Sequence, residues 1–184
     1  MNIKILVVSF FSFLAILPCS DAQRITKVEA KWLDSFREWI IETETGELEG
    51  SLSATWALSD DWSEWRYDLG EHTGSMKLKF APDPNLWEFR SGNELITART
   101  IWSNDFTEWR FTDGERIIQL RLKRDAAPFV WFSEGETYGF IDIFTEYEQD
   151  PGVWLVEDKL NEEMSLLYRM SLIFIAIYHS SPRI

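Results

Sequence analysis

DDWSEWR, at residues 60–66, returns almost letter for letter as NDFTEWR at 104–110 and as DSFREWI at 34–40. Each copy sets Asp or Asn, then an aromatic, ahead of a Glu-Trp pair. The tryptophan belongs to a longer series: Trp39, Trp65, Trp87, Trp109, Trp131 and Trp154 recur every 22 or 23 residues, after one wider first step. Self-similarity at a fixed short period means that one supersecondary unit is reused. Two strands of roughly 5–6 residues and two turns fill such a period. The 3.6-residue spacing that a helical unit needs is absent. Gly-containing turns punctuate the units at 45–47, 69–71, 91–94, 113–115 and 134–136, where Gly supplies the positive φ of tight hairpins.

Between turns the strands alternate. Trp65 and Tyr67 fall on one face, with Glu64, Arg66 and Asp68 on the other. Trp87 and Phe89 oppose Glu88 and Arg90, and Trp109 and Phe111 oppose Glu108 and Arg110. Returning strands follow suit. Met76, Leu78 and Phe80 share a face against Lys77 and Lys79, and Ile118, Leu120 and Leu122 oppose Gln119, Arg121 and Lys123. Period-two alternation predicts an antiparallel sheet with one dry and one wet face. It places Trp39, Trp65, Trp87 and Trp109 in the core. Trp32, Trp62, Phe36 and Phe106, beside the strand starts, are expected to plug the ends of the fold.

The first 22 residues read as a secretory signal. Lys4 gives the positive start, Ile5–Leu17 the apolar run, and Ser20-Asp21-Ala22 the small residues before cleavage at Gln23. Cleavage near Ala22 predicts a secreted or periplasmic protein. Cys19, the only cysteine, leaves with the leader. Residues 23–184 then form a single domain that enters an oxidising compartment without disulfides, held by its core. The formal net charge of −13 argues against nucleic acid and against anionic membrane surfaces, both of which attract Lys and Arg clusters. It leaves room for a basic protein partner.

The pattern changes after Trp154. Glu157 to Ser165 are mostly strong helix formers with acids early, where the helix dipole favours them. Leu166 to Tyr178 are apolar almost all round, interrupted by Arg169. A helix over about 158–178 that is apolar on every side is enclosed by protein or by membrane, and this run is short for a bilayer. The β-branched stretch 173–177 offers a buried terminal strand as the alternative. If the helix is enclosed, Arg169 needs a carboxylate or strand carbonyls at a barrel mouth.

The hairpin turns above, followed by GVWLVEDKLNEEMSLLYRMSLIFIAIYHS at 152–180, resemble the plan of the superfamily of tubby C-terminal domains, LURP-one-related proteins and phospholipid scramblases. The likeness is topological and spans about 24–180. It implies a mainly β fold: an antiparallel hairpin meander of about 11–12 strands, closed into a barrel around a hydrophobic C-terminal helix. Closure also removes exposed sheet edges. Some relatives bind phosphoinositides through basic residues, a role at odds with this acidic, exported chain.

Chemistry is sparse. His72 and His179 form no metal-binding spacing, and no P-loop, G-x-S-x-G or G-x-G-x-x-G occurs. Acids cluster at Asp60, Asp61 and Glu64, at Glu42, Glu44, Glu47 and Glu49, and at Glu146, Glu148 and Asp150, without the spacing of a calcium loop. No catalytic, cofactor-binding or metal residue is assigned, and no cofactor is expected. The first expectation is a non-enzymatic, exported protein with a structural or binding role in the cell envelope. The alternatives are a carrier of an apolar or lipid ligand inside an unfilled barrel, and a glycan-handling hydrolase using loop carboxylates.

Overall fold

The computed structural model describes residues 24–183, apart from 33, 47–48, 57–58, 82, 124–128, 136 and 149. The leader and Cys19 lie outside the described residues. Twelve strands run in chain order: β1 (Ile25–Trp32), β2 (Ser35–Thr43), β3 (Glu49–Ala54), β4 (Glu64–Leu69), β5 (His72–Leu78), β6 (Leu86–Ser91), β7 (Glu94–Thr100), β8 (Glu108–Thr112), β9 (Ile117–Leu122), β10 (Val130–Glu134), β11 (Gly139–Thr145) and β12 (Val153–Leu160). Each pairs antiparallel with the next, and β1 closes on β12 through Val28 opposite Trp154. The result is a closed meander barrel with α1 (Leu166–Ser180) following it.

The alternation read from the sequence sets which side chains fill the barrel. Trp39, Trp65, Trp87, Trp109, Trp131 and Trp154 are all buried, as are Tyr67, Phe89, Phe111 and Leu120. The intervening charges face outward and pair across strands, as Lys77 does with Glu64 and Lys79 with Glu88. Such exposed pairs contribute a few tenths of a kcal/mol and serve register more than stability. Gly74 has a packing reason: Tyr67 lies opposite it, and its phenol ring occupies the space a Cβ would need.

An eight-stranded barrel is filled by its own side chains, but twelve strands leave a wider interior. Here α1 fills it. Every residue from Leu167 to Tyr178 is buried, so no face of the helix meets solvent. Phe174 lies edge-on to Trp65, Trp87 and Phe89 at 5.6, 5.0 and 5.8 Å. The Tyr168 hydroxyl donates to the Phe111 carbonyl, and Trp131 Nε1 donates to Ser180 Oγ. The helix thus touches β4, β6, β8 and β10 and runs through the barrel.

The helix begins later than the acidic stretch suggests. Glu157-Asp158-Lys159-Leu160 extend β12, pairing with β11 as far as Leu160 opposite Gly139. Glu162 and Glu163 lie in the turn before the helix, whose first turn holds no acid. Helix propensity gives way here to the ladder that completes the barrel wall. Ser165 caps α1 by accepting from the Tyr168 N–H at 3.2 Å. The β-branched run 173–177 is helical. Gly139 adopts a positive φ of 78° with Lys159 O in the path of any Cβ, so only glycine fits where β11 starts.

Candidate functional site

The two ends of the barrel are built differently. At one end the connections are short turns around Gly46, Gly70, Gly92 and Gly114, together with the passage from β12 into α1. At the other end lie the β1–β2 turn and the longer loops 55–63, 79–85, 101–107 and 146–152, where α1 emerges.

A common local structure organises the loop end. Asp61, Asp83, Asp105 and Asp150 each accept, through Oδ1, the backbone N–H two residues on, at 2.8–3.0 Å. Ser35 Oγ does the same more loosely for Arg37. Four residues beyond each of these five stands a core tryptophan: Trp65, Trp87, Trp109, Trp154 and Trp39. In four cases its Nε1 donates back to the carbonyl three residues earlier, on Trp62, Phe106, Pro151 and Phe36. The repeated motif is therefore a side-chain turn that launches the strand, plus an indole that satisfies its own N–H locally while its ring enters the core. Among the described residues Trp87 Nε1 finds no partner, and Trp131 uses Ser180 instead.

Phe36, Trp62 and Phe106 pack on the core at this end, as their positions predict. Trp32 does not. It joins Trp56, Phe80, Trp102 and Tyr147, five aromatics that are 52–66% exposed. Trp32 ends β1, and each of the other four belongs to a different loop at this same rim. Phe80 was expected on the dry face, but β5 ends at Leu78 and the chain turns there. Its carbonyl accepts from Asp83, as those of Trp56, Trp102 and Tyr147 accept from Ser59, Asp105 and Asp150. The four loops thus present their aromatics at equivalent turn positions. Single exposed apolar residues are ordinary; here five aromatics stand exposed at the same end of the barrel.

Beside Phe80 a groove of about 480 Å³ opens between loops 79–85 and 101–107, lined also by Asp83, Asn85, Arg99, Ser103 and Arg110. A wider trough of about 770 Å³ crosses the outer wall over Ser51, Ser53, Gly74 and Ser75, where side chains are short. Inside, the space between Trp39, Trp65 and α1 amounts to about 10 Å³, no more than one water's worth.

Among the described residues the acids singled out from sequence do not gather into one cluster, although Glu42 stands directly opposite Glu49. Asp61 and Asp150 hold rim turns, Asp60 lies 3.8 Å from Arg37, and Glu42 lies 3.6 Å from Lys27. Glu47 lies outside the described residues. Asp142 and Glu157, which no motif flagged, stand directly opposite each other on β11 and β12. Burial, and then the neighbouring Glu157 charge, hold the Asp142 carboxyl above its usual range, while Lys123 opposes the shift. Neither lines the grooves above. Among the described residues no group of three or more His, Cys, Asp or Glu converges as a metal site. His72 is exposed at the start of β5. His179 stacks on Phe106 at 5.0 Å, and burial, then Arg183, push its imidazole down to about 3.

No protein-family model matches this chain, and no curated protein or solved structure matches it.

Proposed function

We propose that this is an exported, non-enzymatic binding protein of the cell envelope, which engages its partner through the aromatic rim. The observation that carries this reading is the ring of Trp32, Trp56, Phe80, Trp102 and Tyr147 at one end of a barrel whose interior is occupied. Tryptophan and tyrosine supply broad amphipathic contact at low entropic cost. The loops that bear them are braced by hydrogen-bonded turns, so little ordering is left for the binding step to supply. The leader-like N-terminus supports export, and the −13 charge disfavours nucleic acid and phosphoinositide surfaces alike. We read the chain as a distant member of the tubby-like, LURP-one-related and scramblase superfamily. Twelve meander strands around a C-terminal helix support that kinship, without its phosphoinositide role.

The test is sedimentation of the purified protein with washed envelope polymer. The native protein should pellet with it, and the triple variant Trp56→Ala, Trp102→Ala, Tyr147→Ala should stay in solution while melting at an unchanged temperature. Equal pelleting of a folded triple variant would overturn the rim as the binding surface.

A further inference from the structure

We propose that the groove between loops 79–85 and 101–107 binds an acidic saccharide, with Arg99 and Arg110 holding its carboxylate or sulfate and Phe80 taking the apolar face of the ring. This rests on the rim as a binding surface and names the ligand class of one sector of it.

The argument starts from a charge arrangement that the fold does not need. Arg99 on β7 stands directly opposite Arg110 on β8. Their other cross-strand neighbours are Leu86 and Gln119, so the row Leu86–Arg99–Arg110–Gln119 contains no acid. Like charges placed directly opposite destabilise a sheet. Elsewhere on the outer wall cations face acids, as with Lys77 and Glu64, Lys79 and Glu88, and Glu108 opposite Arg121. Like charges directly opposite also occur as acids, Glu42 with Glu49 and Asp142 with Glu157, but among the described residues Arg99 and Arg110 are the cationic case. Among the described residues neither Arg99 nor Arg110 makes an ion pair or a hydrogen bond. Asp83 feels the Arg99 charge, but its Oδ1 is occupied by the Asn85 N–H and Nδ2.

Two adjacent guanidinium forks with free donors match the paired oxygens of a carboxylate or a sulfate, which they can grip through paired N–H···O bonds. The site is preformed. Asn85 Oδ1 accepts from the Asn104 N–H at 2.7 Å and from Thr100 Oγ1 at 3.0 Å, tying the two loops and β7 together. The groove's volume of about 480 Å³ lies within the range of small-ligand sites. Its wall combines the exposed Phe80 ring with Ser103 and the Asp83 carboxylate. A sugar hydroxyl can donate to the Asp83 carboxylate. An anion on a hydroxylated ring satisfies all these groups together.

Calorimetric titration of the full-length protein tests this with four probes: galacturonate hexamer (carboxylate), a heparin-derived hexasaccharide (sulfate), cellohexaose (neutral) and sodium sulfate. One or both acidic saccharides should bind, at least about tenfold tighter than cellohexaose or sulfate ion, and the preferred one identifies the anion. Arg99→Gln and Arg110→Gln should each weaken that binding about tenfold, the loss of one charge-assisted bond pair, and added salt should weaken it further. Arg66→Gln, which removes an outer-wall arginine on β4 that does not line the groove, should retain it. Equal binding of cellohexaose, no saccharide binding, or undiminished binding by both folded arginine variants would overturn the proposal. If the native protein still pellets with envelope polymer in those cases, the rim reading survives and only the saccharide site fails. If the saccharide binds but envelope pelleting ignores the rim variants, the rim reading fails alone.

Discussion

Arg169 Nε donates to Asp158 Oδ2 at 2.7 Å, with both side chains sealed from solvent at the end of the barrel where α1 begins. The guanidinium also donates to the carbonyls of Leu160, Asn161 and Met164, and Asp158 Oδ1 accepts the Leu160 N–H. A buried charge is tolerated only when paired and fully hydrogen-bonded. This cluster joins the last strand of the barrel wall to the first turn of the helix.

Removing one partner should therefore be severe. Asp158→Ala is expected to cost about 3–5 kcal/mol, the range for an uncompensated buried charge. The double replacement Asp158→Leu, Arg169→Met should cost less than Asp158→Ala alone, because no charge is left stranded. Denaturant melts of the three proteins check the ordering.

The face assignment predicts a contrast between neighbours. Trp65→Ala and Trp109→Ala should each cost roughly 3–5 kcal/mol as large core truncations. Glu64→Ala and Glu108→Ala, on the outer wall, should stay within about 0.5 kcal/mol of the native protein. Equal losses for both pairs in urea melts would contradict the inward placement of the tryptophans.

Much of this architecture is legible in the chain because its two faces differ so sharply. The alternation around Trp65, Trp87 and Trp109 marks strand, face and repeat together, and Arg169 announces its need for a partner. The boundary at Leu160 is not legible, since Glu157 to Glu163 favour helix locally and only the β11 ladder holds the first four as strand. The rim is hidden for a related reason. Phe80, sitting two residues beyond Leu78, continues the alternation on paper, and only the turn after β5 takes it out of the core. The Arg99–Arg110 juxtaposition depends on the β7–β8 register, and single-strand alternation says only that both point outward.

Opposed arginines should burden the fold. Arg110→Gln is expected to raise stability by about 0.2–1 kcal/mol at low salt, and the gain should shrink as salt screens the repulsion. Melting curves at low and high ionic strength check both the sign and its salt dependence. A destabilised variant would mean that Arg110 has a structural partner after all.

His179 gives the fold a sensitivity to acid. Its folded pKa, about 3, lies below the ordinary value of 6.5, so below that value the unfolded chain binds the extra proton more readily than the native one. Stability should be unaffected by this group above pH 6.5 and should fall as pH drops from there towards 3. His179→Phe, which keeps a ring between Phe106 and Trp109, should flatten the part of the pH profile between 6.5 and 5, where the carboxylates are still ionised. An unchanged slope in that window would show that the imidazole is already charged in the fold.

The account turns on α1 staying inside the closed barrel, because that moves binding to the rim. Native-state hydrogen exchange on the amides of Leu172 to Ile177 measures this directly. These amides should exchange only through global unfolding, with the same opening free energy and the same denaturant dependence as the core strands β4, β6 and β8. Exchange of the helix at markedly lower free energy, while those strands stay protected, would mean that the helix leaves an intact barrel. That result would contradict the rim account and favour a carrier with an opening interior.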